Sequence, residues 1–182
     1  MVELRAMTAQ ELLRHDHEPF RSELICGRLV EMEPAGALHG LVAAQICRLL
    51  ANHVLADGLG RVFGAETGFQ LASDPDTVRA PDASFVALER VQATGIPSGY
   101  WPGAPGVAFE VSSPGDRRGE IEAKTRAWIE AGSSAVVVVD PRRRNATIHR
   151  QGGATPPVAG AQRLDLDDVL PGFAPVVDDL FA

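Results

Sequence analysis

Three observations predict an α/β fold, a mixed sheet with helices packed on it. Apolar residues recur at helical spacing from about residue 38 to 55, and three short β-type runs follow between about 61 and 112. A second amphipathic stretch, from about 118, then leads into the β-branched run Ala135-Val-Val-Val-Val-Asp140. The order helix, three strands, helix, strand is that of a layered α/β sheet with a right-handed crossover through the second helix. At 182 residues and 45% hydrophobic content the chain can build one sizeable core and is short for two, so a single domain over 1–182 is expected. Its parts are an N-terminal helix and hairpin at about 8–33, a core at about 38–150 and a C-terminal tail at 151–182.

Each element has a local cause. Thr8 is followed three positions later by Glu11, a capping-box spacing that opens a short helix through Leu12 and Leu13. The two apolar runs of Glu23-Leu-Ile-Cys-Gly-Arg-Leu-Val-Glu-Met32 flank Gly27 and read as a β-hairpin, which Pro34 and Gly36 end. In the long helix Leu41, Val42, Ile46, Leu49, Leu50 and Val54 form the apolar stripe, with His39 in the first turn and Gly58 just past the end. Residues 61–71 read as one strand with Phe63 and Phe69 packed inward, Asp74-Pro-Asp76 as a turn and Pro81–Leu88 as the second strand. The Gly- and Pro-rich stretch 92–106 carries Tyr100 and Trp101, which marks an ordered loop rather than a linker.

The third strand holds Glu110. Gly132 stops the helix that runs from about Arg118 to Ala131, and the valine run behind it has the composition of a strand buried on both faces. Ala146–Arg150 forms a further strand after the turn Arg142-Arg143-Arg144, and in the tail Leu170-Pro-Gly-Phe173 is expected to lay Phe173 on the core.

Composition narrows the function. A net charge of −7 argues against a protein that coats nucleic acid through bulk electrostatics, although base is concentrated at Arg117, Arg118, Lys124, Arg126 and Arg142–Arg144. The absence of an apolar run of about 18 residues and of a basic-then-apolar N-terminus leads us to expect no membrane span, no signal peptide and a cytoplasmic location. Cys26 and Cys47 read as small buried hydrophobes without a redox role. His53 and His149 stand without evident partners, and His15 and His17 lie in a polar segment, so no zinc site is expected. Phosphate-binding glycine loops and the nucleophile elbow of α/β-hydrolases are missing from the sequence.

One stretch carries chemistry, Gly106-Val-Ala-Phe-Glu-Val-Ser-Ser-Pro114. Its Glu110 stands in an apolar strand, where a lone charge costs several kcal/mol and so calls for a partner, a metal or a proton. Side chains alternate along a strand, so Glu110 shares a face with Ala108 and Ser112. Asp82 opens the neighbouring strand, and at about 4.8 Å between strands the two carboxylates can share one divalent cation, with the Val111 carbonyl as a third hard oxygen. Lys124 belongs to the series Ile121, Lys124, Thr125, Trp128, Ile129 and therefore lies on the sheet-facing side of its helix. Carboxylates that hold Mg²⁺ or Mn²⁺ beside a lysine that stabilises negative charge are what metal-assisted phosphodiester hydrolysis needs.

The chain resembles the Uma-two-like restriction endonuclease family, a bacterial branch of the PD-(D/E)XK nuclease superfamily. The resemblance rests on Glu23-Leu-Ile-Cys-Gly27, His39, Pro81-Asp82, Glu110-Val-Ser-Ser-Pro114 with Lys124 downstream, Ala131-Gly132 before Val139-Asp140-Pro141, and Leu170-Pro-Gly-Phe173. It implies a restriction endonuclease-like αβββαβ core, Asp82 and Glu110 as metal ligands, and Lys124 as a catalytic lysine moved from the strand to the helix. Ser112 stands where the superfamily signature has its lysine, so activity depends on the reach of Lys124. His39 is an auxiliary candidate for orienting water or touching phosphate, and Glu66 and Gln70 for a further ligand. The expected function is Mg²⁺-dependent hydrolysis of DNA phosphodiesters, with Arg117, Arg118, Arg126, Arg142, Arg143 and Arg144 on the DNA backbone. Restriction-type enzymes often need two sites to cut two strands, and an exposed Trp101 and valine-rich surface would suit a homodimer. The alternative is a non-catalytic interaction protein that keeps the nuclease fold, with the acidic pair at most a residual, structural metal site.

Overall fold

The computed structural model describes residues 6–14 and 21–182; His15 and His17 lie outside the described residues. In chain order the elements are α1 (Ala9–Arg14), β1 (Arg21–Ile25), β2 (Arg28–Met32), α2 (Ala37–Ala56), β3 (Gly60–Gly64), β4 (Phe69–Ala72), β5 (Thr77–Arg79) and β6 (Ala83–Ala87). They continue with α3 (Leu88–Thr94), β7 (Trp101–Pro102), β8 (Val107–Val111), α4 (Arg118–Glu130), β9 (Ala135–Asp140), β10 (Asn145–Arg150), β11 (Gly153–Ala154), β12 (Val158–Ala159) and a terminal 3₁₀ turn at Val177–Phe181.

The main sheet runs β11-β10-β9-β8-β6-β3, with β12 also on β10. Within the main sheet, among the described residues, β8 and β9 are the one parallel pair, and α4 connects them, so the predicted helix, three strands, helix, strand is α2, β3, β6, β8, α4, β9. One face of this sheet packs Phe85, Val107, Phe109, Val137 and Val139 against Val42, Ile46, Leu50 and Val54 of α2. The C-terminal Leu164, Leu166, Leu170 and Phe173 close that same core, as the Leu-Pro-Gly-Phe motif led us to expect. On the opposite face Ala108 and Val136 meet Trp128 of α4 together with Phe69 and Trp101.

A second sheet, β2-β1-β5-β4-β7, is the main departure from the sequence reading. The single strand expected at 61–71 is two: β3 stays in the main sheet, the chain turns at Glu66 with φ of 68°, and β4 enters the small one. The expected loop 92–106 holds the end of α3 and β7, whose Trp101 pairs beside Phe69 and is fully buried. Trp101 and, in the valine run, Val136, Val137 and Val139 are thus interior, so the surface expected to carry a dimer is largely part of the core. Leu41, expected inside, is 54% exposed, because the buried stripe of α2 runs through Val42, Ala43 and Ile46 instead.

Local signals were otherwise followed. Thr8 and Glu11 exchange the bonds of a capping box, the Glu11 N–H donating to Thr8 Oγ1 at 3.2 Å and the Thr8 N–H to Glu11 Oε2 at 2.9 Å. Cys26 and Gly27 both take positive φ in the hairpin turn, which leaves Cys26 exposed rather than buried. His53 is not partnerless: its Nε2 lies 2.7 Å from the Pro171 carbonyl and its ring packs on Phe173. No helix among the described residues is long and apolar enough to cross a membrane.

The largest of the core clusters is built on α2. Truncating the fully buried Ile46 to Ala should cost about 2–5 kcal/mol, measured by urea unfolding, whereas Leu41→Ala on the same helix should change stability by less than about 0.5 kcal/mol.

Candidate active site

Both sheets feed one place. The chain leaves the small sheet at Arg79, passes Ala80 and Pro81, and enters the main sheet at Ala83, so Asp82 sits at the junction. Its N–H donates to the Phe109 carbonyl at 2.9 Å, and its Oδ2 accepts the Val111 N–H at 2.7 Å. The N–H and C=O of one strand residue point the same way, so the Val111 carbonyl also faces the Asp82 side.

Glu110 projects from β8 toward α4 and is 8% exposed. Trp128 Nε1 donates to its Oε1 at 2.7 Å, and the Lys124 ammonium lies 2.8 Å from Oε2. Lys124 and Trp128 are four residues apart on α4, one above the other, which is why one helix face can serve both oxygens. The ammonium has two more acceptors, Glu23 Oε1 at 3.3 Å and the Ala80 carbonyl at 3.3 Å. Burial pushes Glu110 up to about 7, Lys124 works against this, and Asp82 adds to it. Burial also opposes the charge on Lys124, but the carboxylates of Glu110 and Glu23, with Asp82 behind them, outweigh it and hold the ammonium protonated above its ordinary range.

His39, in the first turn of α2, brings Nε2 to 3.3 Å from Asp82 Oδ2. That hydrogen bond raises the His39 pKa against the opposing effect of burial. Burial likewise disfavours the Asp82 carboxylate, yet the hydrogen bond from His39, the His39 charge and the Val111 N–H together keep it below the usual range. Arg21 sits 3.9 Å from Asp82 Oδ1 and pairs with Glu66.

These groups line an open cleft of about 730 Å³ between the β1–β2 hairpin, the start of α2, the end of β8 and α4. Asp82, Glu110, Val111, Ser112, Lys124 and His39 all border it. A side pocket of about 510 Å³ shares Asp82, His39 and Arg21, adds Glu66 and Cys47, and is walled by small residues such as Ala43 and Ala44. Gln70 borders neither; its amide donates to Ser73 Oγ at 3.2 Å.

The six arginines expected on DNA lie outside the cleft lining. Arg117 opens α4 behind the rim residues Asp116 and Pro114 and is exposed, as are Arg126 and Arg142. Arg118 pairs with Glu122, Arg143 with Asp140, and Arg144 with Asp178 while its guanidinium covers the Phe181 ring. Three residues bordering the site were not foreseen as such, Arg21, Glu23 and Arg79. Glu23 and Arg79 are both buried and form a 2.7 Å ion pair, and the rule that singled out Glu110, a charge set among apolar strand residues, applies to both.

Among the described residues no group of three or more His, Cys, Asp or Glu side chains converges as a ready metal cluster. The donors available are two carboxylates and one backbone carbonyl, all hard oxygens. That set suits a cation such as Mg²⁺, which keeps several waters and takes one or two carboxylates from the protein.

Comparison with known proteins places the chain. The model of the Uma2 family, described as "Putative restriction endonuclease", matches residues 9–178. The chain belongs to this family. A solved structure similar to this Uma2 member is that of a "putative nuclease belonging to DUF820" from Anabaena variabilis, with a TM-score of 0.81, 17% identity, and coverage of 96% of this chain and 97% of that one. At that identity the likeness establishes a shared fold. No curated protein matches the sequence.

The titration of Glu110 has a stability consequence. Its folded pKa of about 7 exceeds its ordinary 4.5, so the folded state prefers the protonated form. The associated stabilisation is fully present below about 4.5 and is lost as pH rises through about 7. In EDTA, the melting temperature should therefore fall more steeply between about pH 5 and about pH 7.5 for the wild-type chain than for Glu110→Gln. The contribution of His39 is common to both proteins, and parallel curves would contradict the assignment.

Proposed function

We propose that this Uma2 member is a divalent-metal-dependent endonuclease that hydrolyses phosphodiester bonds in DNA. The observation that carries the reading is the convergence of Asp82, Glu110, Val111 and Lys124 on the floor of one open cleft. Asp82, Glu110 and the Val111 carbonyl are the residues to hold the cation. When bound there, Mg²⁺ or Mn²⁺ would supply a Lewis acid for the phosphoryl oxygen and acidify water at neutral pH.

The chain's own groups have separate tasks. Lys124 presents a permanently charged ammonium to the cleft, in place to stabilise negative charge that grows on a phosphate. Its position on α4 answers the presence of Ser112 where a strand lysine would otherwise stand, since Lys124 reaches Glu110 from the helix. Trp128 fixes the plane of the Glu110 carboxyl from below. His39 and the Val111 N–H orient Asp82 through Oδ2, so that Oδ1 is left toward Arg21. Arg21, 3.9 Å from that oxygen, offers a contact for a flanking phosphate. Arg117, exposed and next in sequence to the rim residue Asp116, offers a contact for the backbone beyond the cleft.

A second reading has its own support. Both Glu110 oxygens already accept protein donors, as in a closed structural network, which favours a non-catalytic interaction protein on the same fold. The two readings separate on nicking of supercoiled plasmid with Mg²⁺ or Mn²⁺. The nuclease reading predicts cleavage that Asp82→Asn abolishes and that Lys124→Met lowers by about 10²–10³ in kcat, with far-ultraviolet circular dichroism unchanged. Cation binding without nicking, on plain, branched and modified DNA alike, would support the non-catalytic reading.

A further inference from the structure

The buried pair Glu23–Arg79 has no task in the reaction just described, yet it stands against the catalytic lysine. The single ladder register between β1 and β5, Leu24 opposite Val78, sets Glu23 opposite Arg79 on the neighbouring strand. Arg79 donates to Glu23 Oε2 at 2.7 Å, and the Ala80 N–H to Oε1 at 3.2 Å. Oε1 is also the oxygen 3.3 Å from the Lys124 ammonium. A lysine ammonium has three donors, and Lys124 finds three acceptors: Glu110 Oε2, Glu23 Oε1 and the Ala80 carbonyl. The three acceptors come from the main sheet, the small sheet and the link between them.

We infer that Glu23 is a positioning residue that takes over the Lys124 ammonium when a divalent cation engages Glu110, so that the lysine stays in the cleft without competing for the carboxylate. This deepens the metal-dependent reading and rests on it. Glu110 Oε2 faces Lys124 at 2.8 Å, and a dication arriving at that carboxylate repels the ammonium. With no second acceptor the lysine would either block the site or leave it. Glu23 provides that acceptor within a short shift, and it cannot itself move, because Arg79 and the Ala80 N–H hold both of its oxygens. The chain between Arg79 and Asp82 is three peptide bonds long, so the anchor and a proposed metal ligand are built on the same segment.

The test is a double-mutant cycle read by calorimetric titration of the purified chain with MnCl₂. Glu23→Gln keeps the shape and removes the charge. It should weaken Mn²⁺ binding about tenfold in the wild-type background and less than about twofold with Lys124→Met, where no ammonium competes. Equal weakening in both backgrounds would overturn the inference, since Glu23 would then act through its field or through folding alone. If Glu23→Gln does not fold because Arg79 is left unpaired, Glu23→Gln/Arg79→Met removes the orphaned charge, and the same contrast is measured from it. A wild-type chain that binds no Mn²⁺ removes the metal reading itself, an outcome distinct from equal weakening.

Discussion

A carboxylate in the middle of a sheet is the constraint from which the rest follows. Glu110 stands on β8, between β6 and β9, with one face of the sheet filled by α2 and the other by α4. A charge there is tolerable only if donors are supplied from the helix above it, and α4 supplies two from a single face, Lys124 and Trp128. That requirement fixes the rotation of α4, since turning it by one residue would bring neither group to the oxygens. The ammonium so recruited is itself partly buried, and its remaining donors are met by Glu23 and Ala80. Glu23 in turn needs Arg79. The small sheet thus owes part of its placement to a charge on the large one.

The site is a junction rather than a strand end alone. The segment Ala80-Pro81-Asp82 carries the chain from one sheet to the other, and it supplies an acceptor to Lys124, a donor to Glu23 and a carboxylate to the cleft. Pro81 suits this position because it lacks an N–H that a ladder would need. Opposite it, the first turn of α2 delivers His39 to the far side of Asp82. Three carboxylates, Glu23, Asp82 and Glu110, are therefore balanced by Arg79, Lys124 and His39 within a cleft whose surrounding chain is net negative. Attraction of a polyanion to this protein has to be local.

Much of this was legible in the sequence where the signal was periodic or nearest-neighbour. The stripe Ile121, Lys124, Thr125, Trp128 placed the lysine inward because helical spacing is enough to do so. The adjacency of Asp82 and Glu110 followed from two strands in succession. The small sheet was not legible for a physical reason: β5 is only three residues, too short to show alternation, and it pairs with β1 more than fifty positions earlier. The split of 61–71 turns on the left-handed conformation of Glu66, a residue type with no turn preference of its own. Trp101 read as a surface aromatic because its burial depends on β7 joining β4, a two-residue parallel contact. Glu23 and Arg79 carried the same anomaly as Glu110, but they pair across two strands of the small sheet that lie more than fifty positions apart, and Lys124 reaches them from a distant helix, so neighbouring residues do not reveal the pairing.

The central claim is that Asp82, Glu110 and the Val111 carbonyl form a cation site with Lys124 held beside it. A crystal structure of the chain soaked in Mn²⁺, with anomalous data at the manganese edge, tests this most directly. The account predicts one anomalous peak touching Asp82, Glu110 and the Val111 carbonyl, with the Lys124 ammonium on Glu23 and still inside the cleft. No peak at these three groups, with Lys124 still bonded to Glu110 at saturating Mn²⁺, would contradict it.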